Sequence, residues 1–335
     1  MHVNLLSLLW LFILLPQLGL GDALGIPSPK ARVIKTIFEC GDRETAIINT
    51  ALDDSRLAIR ATIVRLESLK EVLKKKPTRD DVIKERDRVT WWTFEVIFSQ
   101  VYWMEEGKEK MNAVGLKFIQ KVLDLASEIG SNLEGGDADL DFWCGDSFLT
   151  RDYPEDVDEE IRSRDDVFWD NHPEDKGGQR LVRTNSYCNH PKSAPLGYHV
   201  DIPRVGKEDL VRIVLCPSLF EHWAKNEFET AASLQELRDI TWDRMWIDYL
   251  GGTLNPTSLL LHEMSHSAML GPGSGTKDDA YAWQAVVNLK APKALNNADS
   301  FAYFVVAMYL DKYNWATGFS RALPGDGSGV VDADD

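Results

Sequence analysis

The chain has 335 residues, 44% of them hydrophobic and 27% charged, with a formal net charge of −16. That length supports a sizeable core in one large or two modest domains. The charge argues against a uniform nucleic-acid binder, because neutralising phosphates needs the opposite sign.

The first residues form an apolar run from Leu5 to Leu15, broken by Pro16 and followed by small residues at Gly19, Gly21 and Ala23. This reads as a secretory signal peptide over 1–23; a signal anchor is the alternative, with an apolar core short for a spanning helix. No later segment looks transmembrane, and the polar tail does not resemble a hydrophobic anchor signal. A short linker with two prolines leads to Cys40. From there, apolar residues such as Ile47, Ala51, Ala58, Leu66 and Leu69 recur at helical spacing up to the Lys74–Pro77 break. A second long helix is expected from Asp80 or Asp81 to about Ile129, with a possible break near Gly107. Its aromatic residues, Trp91, Trp92, Phe94 and Phe98 among them, read as core.

Acidic residues crowd the stretch from Glu134 to Asp175, which reads as a solvated loop. Strands are expected at Gln179–Tyr187, Tyr198–Ile202 and Val211–Cys216, the last being rich in β-branched residues. That last strand could offer an edge to an extended peptide. Helical segments follow at Ser218–Asn226 and Thr230–Leu250. Four cysteines remain beyond the signal, Cys40, Cys144, Cys188 and Cys216. An even number in a secreted chain suggests two disulfides with three possible connectivities. A four-cysteine zinc site is disfavoured, because no C-x-x-C pair exists.

Leu259-Leu260-Leu261-His262-Glu263-Met264-Ser265-His266 is the stretch that carries chemistry. Asn255 can cap a helix there, Pro256 suits its first turn and Gly271 can end it. Positions four apart share a helix face, so His262 and His266 can address one ion. Glu263 lies about 100° further round, where it can reach water without being a ligand. This is the H-E-x-x-H pattern of zinc hydrolases.

A catalytic zinc usually takes a third protein ligand. No histidine and no glutamate follow His266, and Met269 stands where an extended H-E-x-x-H-x-x-G pattern needs glycine. The downstream donors left are aspartates: Asp278, Asp279, Asp299, Asp311 and those of the tail. Upstream, His222 is a further candidate. Asp278 and Asp279 stand at the start of an apparent helix running to Lys290, for which Thr276 is a natural cap.

The segment Gly275-Thr276-Lys277-Asp278-Asp279-Ala280-Tyr281-Ala282 resembles the G-T-x-D-x-x-Y-G element of the aspzincin metallopeptidases, the deuterolysin and fungal peptidyl-Lys metalloendopeptidase group. Only the final glycine is replaced, by Ala282. Asn297-Ala298-Asp299-Ser300 resembles the same family's N-A-D-S segment. The likeness is strong from about Val211 onward. It implies one zinc ion held by His262, His266 and Asp278, Glu263 as general base, and Tyr281 as oxyanion stabiliser. It also implies disulfides Cys40–Cys144 and Cys188–Cys216. The implied fold is α+β, predominantly helical and zincin-like, with a small sheet beside the active-site helix.

Two departures from the family stand out. The loop between His266 and Asp278 is longer than usual, which keeps Asp279 open as the ligand, and the acidic stretch has no counterpart. Lysine-specific relatives place two acids in the N-A-D region. Asp299 matches the first, as a substrate-pocket or orienting residue or a plain helix cap, but Ala302 stands where the second is expected. Strict lysine specificity is therefore not expected.

The expected layout is a signal peptide at 1–23 and one domain over 24–335. Within it lie a helical scaffold (24–133), an acidic loop region (134–180), a catalytic core (181–325) and a flexible tail (326–335). The expected protein is a secreted, monomeric zinc endopeptidase acting on proteins or peptides, with no nucleic-acid or membrane partner. The alternatives are a non-catalytic secreted protein of the same fold that binds zinc or a host surface, and a structural protein whose histidines hold no metal.

Overall fold

A computed structural model describes residues 34–75, 85–98, 102–105, 108–111, 113–134, 139–174, 178–184, 187–188, 195–202, 210–225, 233–240, 244–251, 255–266 and 275–323. The expected signal peptide, most of the linker after it, Gly271 and the tail at 326–335 lie outside these residues.

The elements run β1 (Ile34–Phe38), α1 (Asp42–Lys74), α2 (Glu85–Ile97), β2 (Tyr102–Glu105), β3 (Lys108–Met111), α3 (Ala113–Glu134), β4 (Asp139–Trp143), β5 (Leu149–Thr150) and α4 (Glu159–Arg162). They continue with β6 (Val167–Asp170), β7 (Arg180–Arg183), β8 (Gly197–Ile202), β9 (Leu210–Leu215), α5 (Pro217–Lys225), α6 (Leu234–Asp239), α7 (Asp248–Gly251) and α8 (Pro256–His266). The chain closes with α9 (Trp283–Val286), α10 (Ala291–Ala294), α11 (Ala298–Tyr309), β10 (Tyr313–Asn314) and β11 (Arg321–Ala322). The described residues are thus α+β, mainly helical with small sheets. None of their helices is long and apolar enough to cross a membrane.

The largest sheet has the order β1-β4-β9-β8. β1, β4 and β9 run parallel, and β8 pairs antiparallel with β9 on the outside. Successive side chains of a strand point to opposite faces. Val211, Ile213 and Leu215 of β9 accordingly join the main core, while Val214 and the adjoining Cys216 join a second cluster with Trp143, Phe148 and Tyr198. A strand buried on both faces has the near-continuous apolar run seen in Val211–Cys216.

Helix α1 packs against α3, α8 and α11, and α11 also packs on α8. Apolar residues at helical spacing, such as Ile48, Leu52, Ile59 and Leu66, supply the buried face of α1. Buried Arg65 ties three helices together: its guanidinium donates to Thr90 Oγ1 on α2 (2.8 Å) and to the Met308 carbonyl on α11 (2.9 Å). Helix α8 lies between the sheet and these helices, so Pro256 to Ser265 are all buried. Cys40 is joined to Cys144 and Cys188 to Cys216, the pairings the family resemblance implies.

Several expectations need correction. The long second helix is two helices, α2 and α3, separated by the β2–β3 hairpin. The acidic stretch is not one loop, since it contains β4, β5, α4 and β6. The strand β9 is internal, so the outer strand beside the site is β8. Between Thr230 and Leu250 the described helices are only α6 and α7. No helix begins at Thr276; residues from Gly275 to Ala282 precede the four-residue α9.

Candidate active site

Helix α8 starts as its sequence requires: the Asn255 side chain accepts from Thr257 N (3.0 Å) and Ser258 N (3.2 Å). Its last turn carries His262, Glu263 and His266 at one end of a cleft of about 650 Å³. Strand β8 and the Thr276–Tyr281 segment form other walls of that cleft.

The segment after α8 returns along the helix end. Thr276 N donates to the Ser265 carbonyl (2.9 Å), and the Ser265 and Thr276 hydroxyls meet at 2.7 Å. Gly275 sits against the end of α8, where a Cβ would stand 2.4 Å from the His266 carbonyl oxygen. Only glycine permits that approach. Thr276 therefore serves the site rather than capping a helix.

His262 Nε2, His266 Nε2 and Asp278 Oδ1 converge. The two nitrogens are 3.1 Å apart, and the carboxylate oxygen lies 3.2 and 3.1 Å from them. The opposite ring nitrogens are committed elsewhere. His266 Nδ1 donates to the Thr276 carbonyl at 3.0 Å, which can only accept. His262 Nδ1 meets Asp299 Oδ1 at 2.7 Å. With both Nδ1 atoms protonated, neutral imidazoles present two Nε2 lone pairs to each other and to a carboxylate. Three electron-rich atoms at this spacing suit a cation between them, either a proton or a metal ion.

The electrostatics also favour positive charge at this point. Burial opposes a charged His262, but its hydrogen bonds to Asp278 and Asp299 win and push its pKa up to about 10. Burial also opposes ionisation of Asp278, yet His262 and His266 hold it far below the usual carboxylate range. Tyr281 is half exposed, stacks 6.0 Å from His262 and bonds Asp278 through its hydroxyl; burial and the Asp278 charge push its pKa up.

Asp279 faces away. Its carboxylate pairs with Lys293 at 3.1 Å, and its amide donates to Asn297 Oδ1 at 2.9 Å. Asp311 pairs with Arg238 at 2.9 Å, and His222 on α5 belongs to neither potential metal cluster. Asp299 is 3% exposed and sits behind His262, in the first turn of α11, so it neither lines the cleft nor caps that helix. Its second oxygen accepts from Ala282 N at 3.1 Å. Asn297 accepts from Asp279 N and Ala280 N, both at 2.9 Å, and the 277 and 297 backbones form a parallel bridge. The two family-like segments are thus stitched to each other.

Ala282, where the family element has glycine, has φ 63° and ψ 152°. That region is almost exclusive to glycine, and another residue there costs about 1–3 kcal/mol. The strain persists because the Ala282 amide is turned toward Asp299. Glycine would release the strain but lose about 0.5–1 kcal/mol to backbone entropy. Ala282→Gly is therefore expected to raise unfolding stability by about 1 kcal/mol. A lowered denaturant midpoint at unchanged slope would show that the Ala282 methyl packs usefully instead.

Sequence reasoning passed over His199 on β8. Its Nδ1 lies 3.7 Å from Glu263 Oε2, and its ring stacks 4.9 Å from that of His266. The available signal was alternation: His199 stands between buried Tyr198 and Val200 and so faces the other way. Nothing local connects that face to a helix more than sixty residues away.

Residues 239–306 match a family described as lysine-specific metallo-endopeptidase. A neutral protease 2 homolog of Neosartorya fischeri is 44% identical over 52 residues, which cover 16% of this chain and 11% of that relative. The family match takes in the His262–His266 helix and the 275–282 and 297–300 segments. A zinc peptidase from Grifola frondosa aligns with 80% of this chain and 97% of its own at 15% identity, with a TM-score of 0.37.

Proposed function

We propose that this chain is a secreted zinc endopeptidase whose one metal ion is held by His262, His266 and Asp278. The observation that carries the reading is the convergence of two imidazole Nε2 atoms and one carboxylate oxygen within 3.2 Å of one another. Both imidazoles are braced from behind, by Asp299 and by the Thr276 carbonyl, as metal-binding histidines usually are. Bound zinc supplies Lewis acidity, lowering the pKa of water and polarising a carbonyl oxygen.

The chain's own groups do the rest. Glu263, buried beside the histidines, takes a proton from the attacking water on its carboxylate and passes it to the leaving amine. The Tyr281 hydroxyl is placed to donate to the oxyanion that develops. An extended substrate would lie along β8, the outer strand of the sheet, by backbone pairing. Asp299 is engaged with His262, Ala302 is buried, and the exposed charges along the cleft include Arg183 and Lys277. These features favour a peptidase without strict lysine preference. The reading takes 1–23 as a signal peptide and 24–335 as one zincin-like unit. Two disulfides fit an extracellular location.

Metal analysis of the purified chain should find one zinc per molecule. Asp278→Ala should weaken binding by more than about 100-fold, beyond the loss typical of a supporting residue. Asp279→Ala should leave it unchanged. Loss with Asp279→Ala alone would move the third ligand by one residue. Absence of zinc from the wild-type chain, with no cleavage of a denatured protein mixture, would remove the reading altogether.

A further inference from the structure

We infer that His199 and Glu263 form a second, weaker site for a divalent cation, through which excess zinc silences the peptidase. The inference rests on the reading above, because the second site borrows its general base.

Two overlapping donor sets exist among the described residues: His262, His266 and Asp278, and His199, Glu263 and His266. His266 Nδ1 is bound to the Thr276 carbonyl and its Nε2 points into the first set, so it has no atom for a second ion. The second set then reduces to His199 and Glu263. Their 3.7 Å separation is too wide for a hydrogen bond. It suits two donors on one ion, since ligands about 2.1 Å from a common zinc lie at most about 4.2 Å apart.

Charge favours occupancy. Asp278, Asp299 and Glu263 give the neighbourhood a formal charge of −3, of which one divalent ion leaves −1. Arg183 and Lys277 also line the cleft, but both are exposed and screened by solvent. Two protein donors bind zinc less well than three, so the second site fills only at higher free zinc. A carboxylate that coordinates an ion no longer accepts a proton, and the reaction loses its base.

The test is equilibrium dialysis of the full chain against buffered zinc, read as bound metal per molecule, with peptide cleavage followed in parallel. Wild type should bind two equivalents in two steps, with cleavage falling across the second. His199→Ala and the more conservative His199→Gln should each bind one equivalent and lose the inhibitory phase. Circular dichroism selects the variant that folds. Saturation of wild type at one equivalent, or a second step that survives in the folded variant, overturns the inference and leaves the peptidase reading standing. A wild-type chain that binds none overturns both.

Discussion

Glu263→Gln is expected to keep zinc in the site and to lower peptide cleavage by about 100- to 10,000-fold, the usual worth of a positioned general base. The substitution preserves shape, and Glu263 lies buried on α8 between the two histidines without belonging to the His262–His266–Asp278 set. The amide cannot take a proton from water. The loss should fall on kcat rather than KM, because the carboxylate acts as the proton moves and not when the peptide docks. Steady-state kinetics on a mapped cleavage site, with metal content measured on the same sample, separates the two. A variant that cleaves at the wild-type rate removes Glu263 from its role; one that loses zinc makes it a ligand.

The second large effect is structural. Asp170 on β6 has no exposed surface, and its Oδ2 accepts from buried Arg212 Nη1 of β9 at 2.6 Å. Its Oδ1 accepts from His172 N at 3.0 Å and lies 2.9 Å from His172 Nδ1. Burial alone would raise the Asp170 pKa, but His172 and Arg212 together hold it below the ordinary value. The Arg212 guanidinium lies 4.8 Å from the Trp143 ring centre and 4.9 Å from that of Phe148. The pair fastens the β5–β6–β7 sheet to the central one.

Asp170→Ala leaves a guanidinium charge in a closed site, and the expected cost is about 3–5 kcal/mol. That is a large share of the 5–15 kcal/mol that holds a typical domain together. Asp170→Ala with Arg212→Met should recover most of it, since no charge is then stranded. Urea unfolding of both variants measures the difference. A loss below about 1 kcal/mol for the single variant would mean that water reaches Arg212.

Helix α1 and the site helix α8 were legible, the first from its long periodicity and the second from its local cap. Asn255, Pro256 and the 259–261 leucines state the start and burial of α8 in one short segment. The β2–β3 hairpin was not legible: four-residue strands inside an aromatic, charged run match helical spacing as well as alternation. The acidic stretch misled for another reason. Aspartate is ordinarily solvated, and Asp170 is buried only because Arg212, forty-two residues on, meets it. Asp299 shows the same limit within the site. Sequence placed it near the chemistry, but only the packing of α11 on α8 reveals that it grips His262 from behind.

The stitching of 275–282 to 297–299 has a consequence for engineering. The aspartate-bearing segment gets its shape from Asn297 and Asp299, on a helix start seventeen or more residues away. Transplanting the short GTKDDAY string beside an H-E-x-x-H helix in another scaffold would carry the donor without its splint. Any transplanted piece must therefore reach at least from Asn255 to the first turn of α11, and a chimera should be cut outside those limits.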